Sequence, residues 1–399
     1  MEKLKKTYRW FGPEFGVSLA DIAQLGADGI VTACHGVPTG EVWPNETIVT
    51  VKTQIEQHGM EWSVVESLNI HNAIKYGLPK RDRYVENYIQ TLKNLAKQNI
   101  KIICYNFMPL IDWTRTNLDY QLPNGTSSLL YDPIAIAAFD IFILKRDNAA
   151  EVYEESVVQN AKKYFVSLSD IEKQALENAI LAGIPGSKEP IKMSVFRKNL
   201  AVVSQISKDE LRENLVYFLK SILPEAEKLG IHMAIHPDDP PFSVFGIPRI
   251  TSTYEDLKFI RDCYPSVNNG FTFCSGSLGA SSNNDLVKII EDFGDRIHFV
   301  HLRNVQLNAM GKFYEAEHLN GSVEMADIME ALINEQLRRK GFGRTDAAIP
   351  LRPDHGHVLL DDKKRQGEFY PGYSLIGRAL GMAQLTGLEK GIRHQMKLD

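Results

Sequence analysis

The sequence predicts an α/β fold, a closed (β/α)8 barrel with a mostly helical insertion after the fourth strand. Three observations predict it. Eight short apolar runs recur along the 399 residues, and nearly all are followed by a stretch of helical periodicity. Four of these runs end at or beside a histidine, a cysteine or an aspartate, at the strand end where barrels bind ligands. No Gly-x-Gly-x-x-Gly follows the first run and no P-loop occurs, which disfavours a dinucleotide or nucleotide fold.

Residues 7–13 are aromatic and β-prone and stop at Gly-Pro, giving a first strand. Ser18 caps a short helix over 18–25. Residues 29–35, Gly-Ile-Val-Thr-Ala-Cys-His, read as a buried second strand, and a turn-rich stretch leads to a helix over 45–59. The third strand is 62–67, its helix 81–98, and the fourth strand is 101–108, broken by Pro109. From about 111 to 200 no clear strand is visible. Asn124-Gly125 marks a turn, residues 134–146 and 148–165 are helix-prone, a Ser/Asp cap opens 169–181, and Gly183-Ile-Pro-Gly-Ser closes the region. This insertion, read as a lid or an interface element, lies inside a single domain spanning 1–399. It is also the expected contact of a homodimer or higher homo-oligomer. Alternation then resumes: a helix over 208–229, strand 231–236, helix 253–263, strand 270–275, helix 284–293, strand 296–303, helix 325–339, strand 347–353 and a last helix over 374–385.

With 44% hydrophobic and 24% charged residues, the composition is that of a globular protein. A net charge of −5 argues against a nucleic-acid partner. No apolar run approaches the ~18 residues of a membrane span, and no signal-like run follows the basic start, so a cytoplasmic protein with no membrane partner is expected. Cys34, Cys104, Cys263 and Cys274 are scattered, as buried thiols or metal ligands are, and do not form a disulfide framework.

The chain is organised around His232 to Pro241. A short apolar strand ends at His236, and three prolines within five residues force the chain out of the sheet past Asp238 and Asp239. Cys274, His301 and Asp354 stand near the ends of the next three strands. In a barrel such ends converge on one axis, so long sequence gaps suit a single metal site. Two imidazoles, a thiolate and a carboxylate suit zinc, iron or manganese. Arg303 follows His301 by two residues and so shares its face, a natural clamp for a substrate carboxylate. His355 diverges from its neighbour Asp354 and is left for proton transfer. Asp238 and Asp239 can orient the ligand histidines or bind sugar hydroxyls.

The motifs Tyr8-Arg-Trp-Phe-Gly-Pro, Gly29-Ile-Val-Thr-Ala, Gly40-Glu-Val-Trp, His236-Pro-Asp-Asp-Pro-Pro, Phe273-Cys-Ser-Gly-Ser, Val300-His-Leu-Arg-Asn, Arg352-Pro-Asp-His-Gly-His and Pro371-Gly-Tyr-Ser together resemble the D-mannonate dehydratase family. The resemblance runs from the first strand to the last helix. It implies a xylose-isomerase-like TIM barrel that dehydrates the sugar acid D-mannonate to 2-keto-3-deoxy-D-gluconate in hexuronate catabolism, with one Mn2+ or Fe2+ ion per chain. It also implies ligand roles for His236, Cys274, His301 and Asp354, and non-ligand catalytic roles for His355 and Tyr373. The reaction removes a weakly acidic proton from carbon 2 and expels hydroxide from carbon 3. It therefore needs a base and an acid, a pair expected to be His355 and Tyr373, with the metal and Arg303 lowering the tyrosine pKa. Three alternatives stand beside this one: an aldose–ketose isomerase, a non-catalytic sugar-acid sensor and a metal-dependent phosphodiesterase. The cysteine-containing single-metal ligand set, the presence of both His355 and Tyr373, and the negative net charge weigh against them in turn.

Overall fold

The computed structural model describes residues 3–182, 191–365, 367 and 369–398, so the Gly183-Ile-Pro-Gly-Ser turn lies outside the described residues. The strands among the described residues are β1 (Lys5–Arg9), β2 (Gly29–Thr32), β3 (Glu61–Glu66), β4 (Ile102–Tyr105), β5 (Asn117–Gln121), β6 (Ser127–Tyr131), β7 (His232–Ile235), β8 (Asn269–Cys274), β9 (Ile297–Leu302), β10 (Val305–Leu307), β11 (Phe313–Glu315) and β12 (Pro350–Pro353). The eight expected barrel strands are β1 to β4, β7 to β9 and β12. They close in chain order as a parallel barrel, with β12 pairing back to β1.

The strands are short because each ends where its apolar run ends. Their inward side chains Val31, Val64, Cys104 and Phe299 form a dry plug inside the barrel, while the outward ones pack against the helices. All four cysteines are free thiols, three of them buried. The helices follow their sequence signals. Ser18, Ser169 and Ser207 each close a capping box at a helix start, and Gly230 ends the helix Lys208–Leu229 in the left-handed region at φ 62°.

The insertion departs from expectation. Its helices Pro133–Ala138, Glu155–Ser167, Asp170–Ile180 and Met193–Val203 are present and share a second apolar core around Phe139, Phe196 and Phe245. It also contains a β-hairpin, β5–β6, built around the Asn124-Gly125 turn. That hairpin joins β10 and β11, which leave the barrel after β9, in an antiparallel sheet ordered β10-β11-β6-β5. The strands escape a reading by hydrophobic runs because β5 is half exposed and β10 and β11 have three residues each.

The last helix, Leu375–Gln395, starts two residues after Tyr373 and has no cap from its own Ser374. Its cap comes from Asp362, whose carboxylate accepts from the backbone N–H groups of Leu375, Ile376 and Gly377 at 3.0, 2.9 and 3.2 Å. The charged segment around Asp361 and Asp362 thus holds the turn that carries Tyr373. Asp362→Ala is expected to cost about 2 kcal/mol of stability, read as a lower urea midpoint with an unchanged slope.

Candidate active site

Parallel register sets the first part of the site. Cys274 is paired with His301 and His301 with Arg352, so these three residues stand level on β8, β9 and β12. Asp354 lies two residues beyond Arg352 and turns the same way, toward the barrel mouth. His236 follows β7, and its backbone N–H still pairs with Tyr105. Below them the His301 ring stands edge-on to Phe299, with centroids 4.6 Å apart, so this candidate ligand rests directly on the apolar plug.

Candidate ligand atoms of His236, Cys274 and His301 all lie within 4.8 Å of one another. His236 Nδ1 is 2.7 Å from the Pro237 carbonyl and acts as its donor there. That leaves Nε2 as the lone-pair nitrogen, 3.1 Å from His301 Nδ1. Burial pushes the His236 pKa down, against the pull of Glu66, Asp354 and Asp239, so the ring is held neutral as a ligand needs. Cys274 Sγ accepts from the Ser277 N–H at 3.4 Å. Asp354 Oδ2 stands slightly outside this trio, 3.8 Å from Cys274 Sγ and 3.9 Å from His301 Nδ1. The donor set, all of it buried or nearly so, fits a divalent transition metal.

A network of buried charge surrounds these ligands. Arg352 forks onto Glu66 at 2.8 and 3.1 Å and reaches Asp354 Oδ1 at 2.6 Å. Arg303 meets Asp239 at 2.6 Å, Glu315 at 3.0 Å and Asp354 at 3.5 Å. Arg115 joins Asp239 at 2.8 Å and Glu315 at 2.6 Å. Burial opposes charge on these carboxylates, yet the arginines and nearby histidines outweigh it. Glu66 and Asp354 are held well below the usual range, Asp239 below it too, and Glu315 at about 2. Gly276 is required here, because a Cβ at that position would come within 2.1 Å of Arg303 Nε.

His355 and Tyr373 lie beside the ligands in a chamber of about 50 Å³ that Arg9, Glu66, Trp113, His236 and Asp354 also line. Their rings meet edge to face with centroids 5.2 Å apart. His355 Nδ1 is 3.2 Å from Glu315 Oε1, which orients the ring. Gly372 just before Tyr373 has φ +85°, and a Cβ there would press on His355 at 3.0 Å.

Two expectations change. Arg303 lines the chamber, with Nη1 on Asp239 and Nε facing Glu315, and its buried Nη2 has no hydrogen-bond partner. Asp238 does not line it: its carboxylate accepts from Thr251 N and Ser252 Oγ, at 2.7 and 2.8 Å, and so fastens the loop after β7. Asp239 does line it, as the partner of Arg115 and Arg303. The phenol of Tyr373 is not lowered by Arg303. Burial pushes its pKa up, Asp354 adds to that, and the opposing cations are Arg352 and Arg9. Sequence reasoning missed Arg9, Glu66, Arg115, Glu315 and Arg352. Glu66 and Arg352 were open to the same strand-end argument that found His236. Glu315 sits on the unforeseen sheet and Arg115 just before its first strand, and neither carries a local signal.

A family model described as D-mannonate dehydratase (UxuA) matches residues 4–399. A mannonate dehydratase of Saccharophagus degradans is 46% identical over 385 residues, covering 96% of this chain and 97% of its own length. The crystal structure of mannonate dehydratase from Streptococcus suis serotype 2 superposes with a TM-score of 0.76 at 33% identity, over 100% of this chain and 95% of that one. A xylose isomerase domain protein from Planctomyces limnophilus is only 11% identical, with a TM-score of 0.52 over 100% of this chain and 99% of that one, and shares the fold alone.

Glu315→Gln tests the charge network. The folded pKa of about 2 lies below the ordinary 4.5, so this carboxylate's contribution is complete above pH 4.5 and is lost as pH falls toward 2. The variant is expected to lose about 3 kcal/mol at pH 7 in urea unfolding. Its deficit against the parent should shrink as unfolding is repeated at successively lower pH below 4.5.

Proposed function

The chain belongs to the D-mannonate dehydratase family, and we propose that it works with one divalent cation, Mn2+ or Fe2+, held by His236, Cys274, His301 and Asp354. Its reaction is the dehydration of D-mannonate. The C2–H and C3–O bonds break, water leaves, and the resulting enol tautomerises to 2-keto-3-deoxy-D-gluconate. The observation that carries the metal reading is the convergence of His236, Cys274 and His301, with Asp354 Oδ2 facing them, beside a chamber lined by two protic side chains that are not ligands. When bound, the cation would supply positive charge to the substrate's carboxylate and its neighbouring hydroxyl as charge develops there.

The chain's own residues do the rest. His355 and Tyr373 form the acid–base pair, one taking the carbon-2 proton and the other protonating the departing carbon-3 hydroxyl. Glu315 keeps the His355 ring in place through Nδ1, and the Asp362-capped helix turn keeps Tyr373 opposite it. Trp113 stands edge-on to His355 at 6.1 Å and keeps that side of the chamber apolar. Arg303 and Arg352 position Asp354 and hold its carboxylate ionised for ligation. Among the described residues no helix is long and apolar enough to cross a membrane. The four free thiols suit a cytoplasmic enzyme.

Two measurements test this reading. Protein stripped by chelation should form no keto acid from D-mannonate. Mn2+ or Fe2+ should restore turnover and raise the melting temperature, and Cys274→Ser should weaken metal affinity by at least tenfold. Full activity in stripped protein would remove the metal from the reaction. His355→Asn and Tyr373→Phe should each lower kcat by roughly 10²–10⁴-fold with metal content unchanged. A folded, metal-loaded variant with near-parental kcat would exclude that residue from proton transfer.

A further inference from the structure

The chemistry described so far uses the later strands of the barrel. Apart from Glu66 and its ion pair with Arg9, the first three strands end on polar groups that no part of it uses. Arg9 closes β1, His35 follows β2, and Ser67 and Asn69 follow β3. They line a second cavity of about 290 Å³, which shares Arg9 and Ser67 as walls with the metal chamber.

Size separates the two spaces. The chamber of about 50 Å³ has room for only about four waters. The neighbouring cavity is several times larger, so a substrate of six carbons and seven oxygens held at the chamber has room to extend into it. Its walls are also chemically prepared. Arg9 Nε, His35 Nε2 and Asn69 Oδ1 are buried atoms with no hydrogen-bond partner, while Arg9 Nη1 faces Glu66 at 3.4 Å. Buried polar atoms in folded proteins nearly always have a partner, and these belong to three side chains that line one cavity. The apolar side is supplied by Trp43, Leu68 and Tyr88.

We propose that this cavity is the subsite for the hydroxylated tail of the substrate, with Arg9, His35 and Asn69 reading the hydroxyls on carbons 4 to 6. The metal chamber then holds only the carboxylate end, where the bonds change. The proposal rests on the dehydratase reading and adds to it the residues that set substrate length. Burial, with Arg9 adding to it, holds the His35 pKa down at about 3, so its ring is neutral and can exchange one hydrogen bond with a hydroxyl without bringing charge. Arg9 is offset by Glu66 and the Glu41 carboxylate also lines the cavity, so these walls favour a polyol over a second anion.

The test compares D-mannonate with D-lyxonate, which keeps the configuration at carbons 2 to 4 and lacks the terminal carbon. D-lyxonate is titrated as a competitor of D-mannonate turnover by the metal-loaded enzyme. In the parent its inhibition constant should exceed the KM for D-mannonate. In Asn69→Ala and His35→Gln the KM for D-mannonate should rise at least fivefold and the ratio of the two constants should fall toward one. Asn69→Ser gives a smaller change should Asn69→Ala fail to fold, and metal content and melting temperature are read on every variant. A ratio that stays at the parental value in folded, metal-loaded variants overturns the subsite. A parent enzyme that makes no keto acid from D-mannonate overturns the reaction itself, and the subsite with it.

Discussion

Buried charge holds the barrel mouth together. Arg9, Arg115, Arg303 and Arg352 meet Glu66, Asp239, Glu315 and Asp354, and every one of these side chains is almost wholly removed from water. Any one of them alone would cost several kcal/mol to bury. They are tolerable only as a set, each carboxylate held ionised by guanidinium groups within about 3.5 Å. The candidate metal ligands inherit their positions from this set. Asp354 is aimed by Arg352 and Arg303, and His301 lies 3.5 Å from the Glu66 that Arg352 grips.

The members come from distant parts of the chain, and that explains the architecture. Arg9, Glu66 and Arg352 come from β1, β3 and β12, and Asp239 and Arg303 from the loops after β7 and β9. Glu315 comes from β11 of the sheet that the insertion builds, and Arg115 from the segment just before β5. Without that sheet, Arg303 and His355 would each lose a partner in a buried site. The insertion is therefore a structural part of the chemistry as well as an appendage to the barrel. A local reading misses this, because the hairpin's contribution depends on which strands it meets after folding.

This marks where the sequence was legible. Period and punctuation located all eight barrel strands, since each is a buried apolar run with a sharp end, and strand ends located His236, Cys274, His301 and Asp354. Long capped helices such as Lys208–Leu229 were found to the residue. Short edge strands were not, because three residues carry no period and their pairing is decided in space. The roles of charged residues were hardest. Asp238 reads as a substrate contact until its partners are seen, and those partners, Thr251 and Ser252, lie 13 and 14 residues away in the chain.

The balance of charge bears on which substrate the mouth accepts. Four arginines against four carboxylates offer an anion no net attraction. The edge pairs Lys75–Asp112 and Arg249–Asp238 are balanced within themselves. With the proposed divalent cation bound and Cys274 ligating as a thiolate, one positive charge is left over in a site shielded from water. A single substrate carboxylate neutralises it, whereas a neutral sugar would leave it uncompensated in low dielectric. Selection for a sugar acid over a neutral sugar then comes from the charge of the whole mouth. This separates the dehydratase from an isomerase on the same barrel, even though both need a metal and a polar pocket.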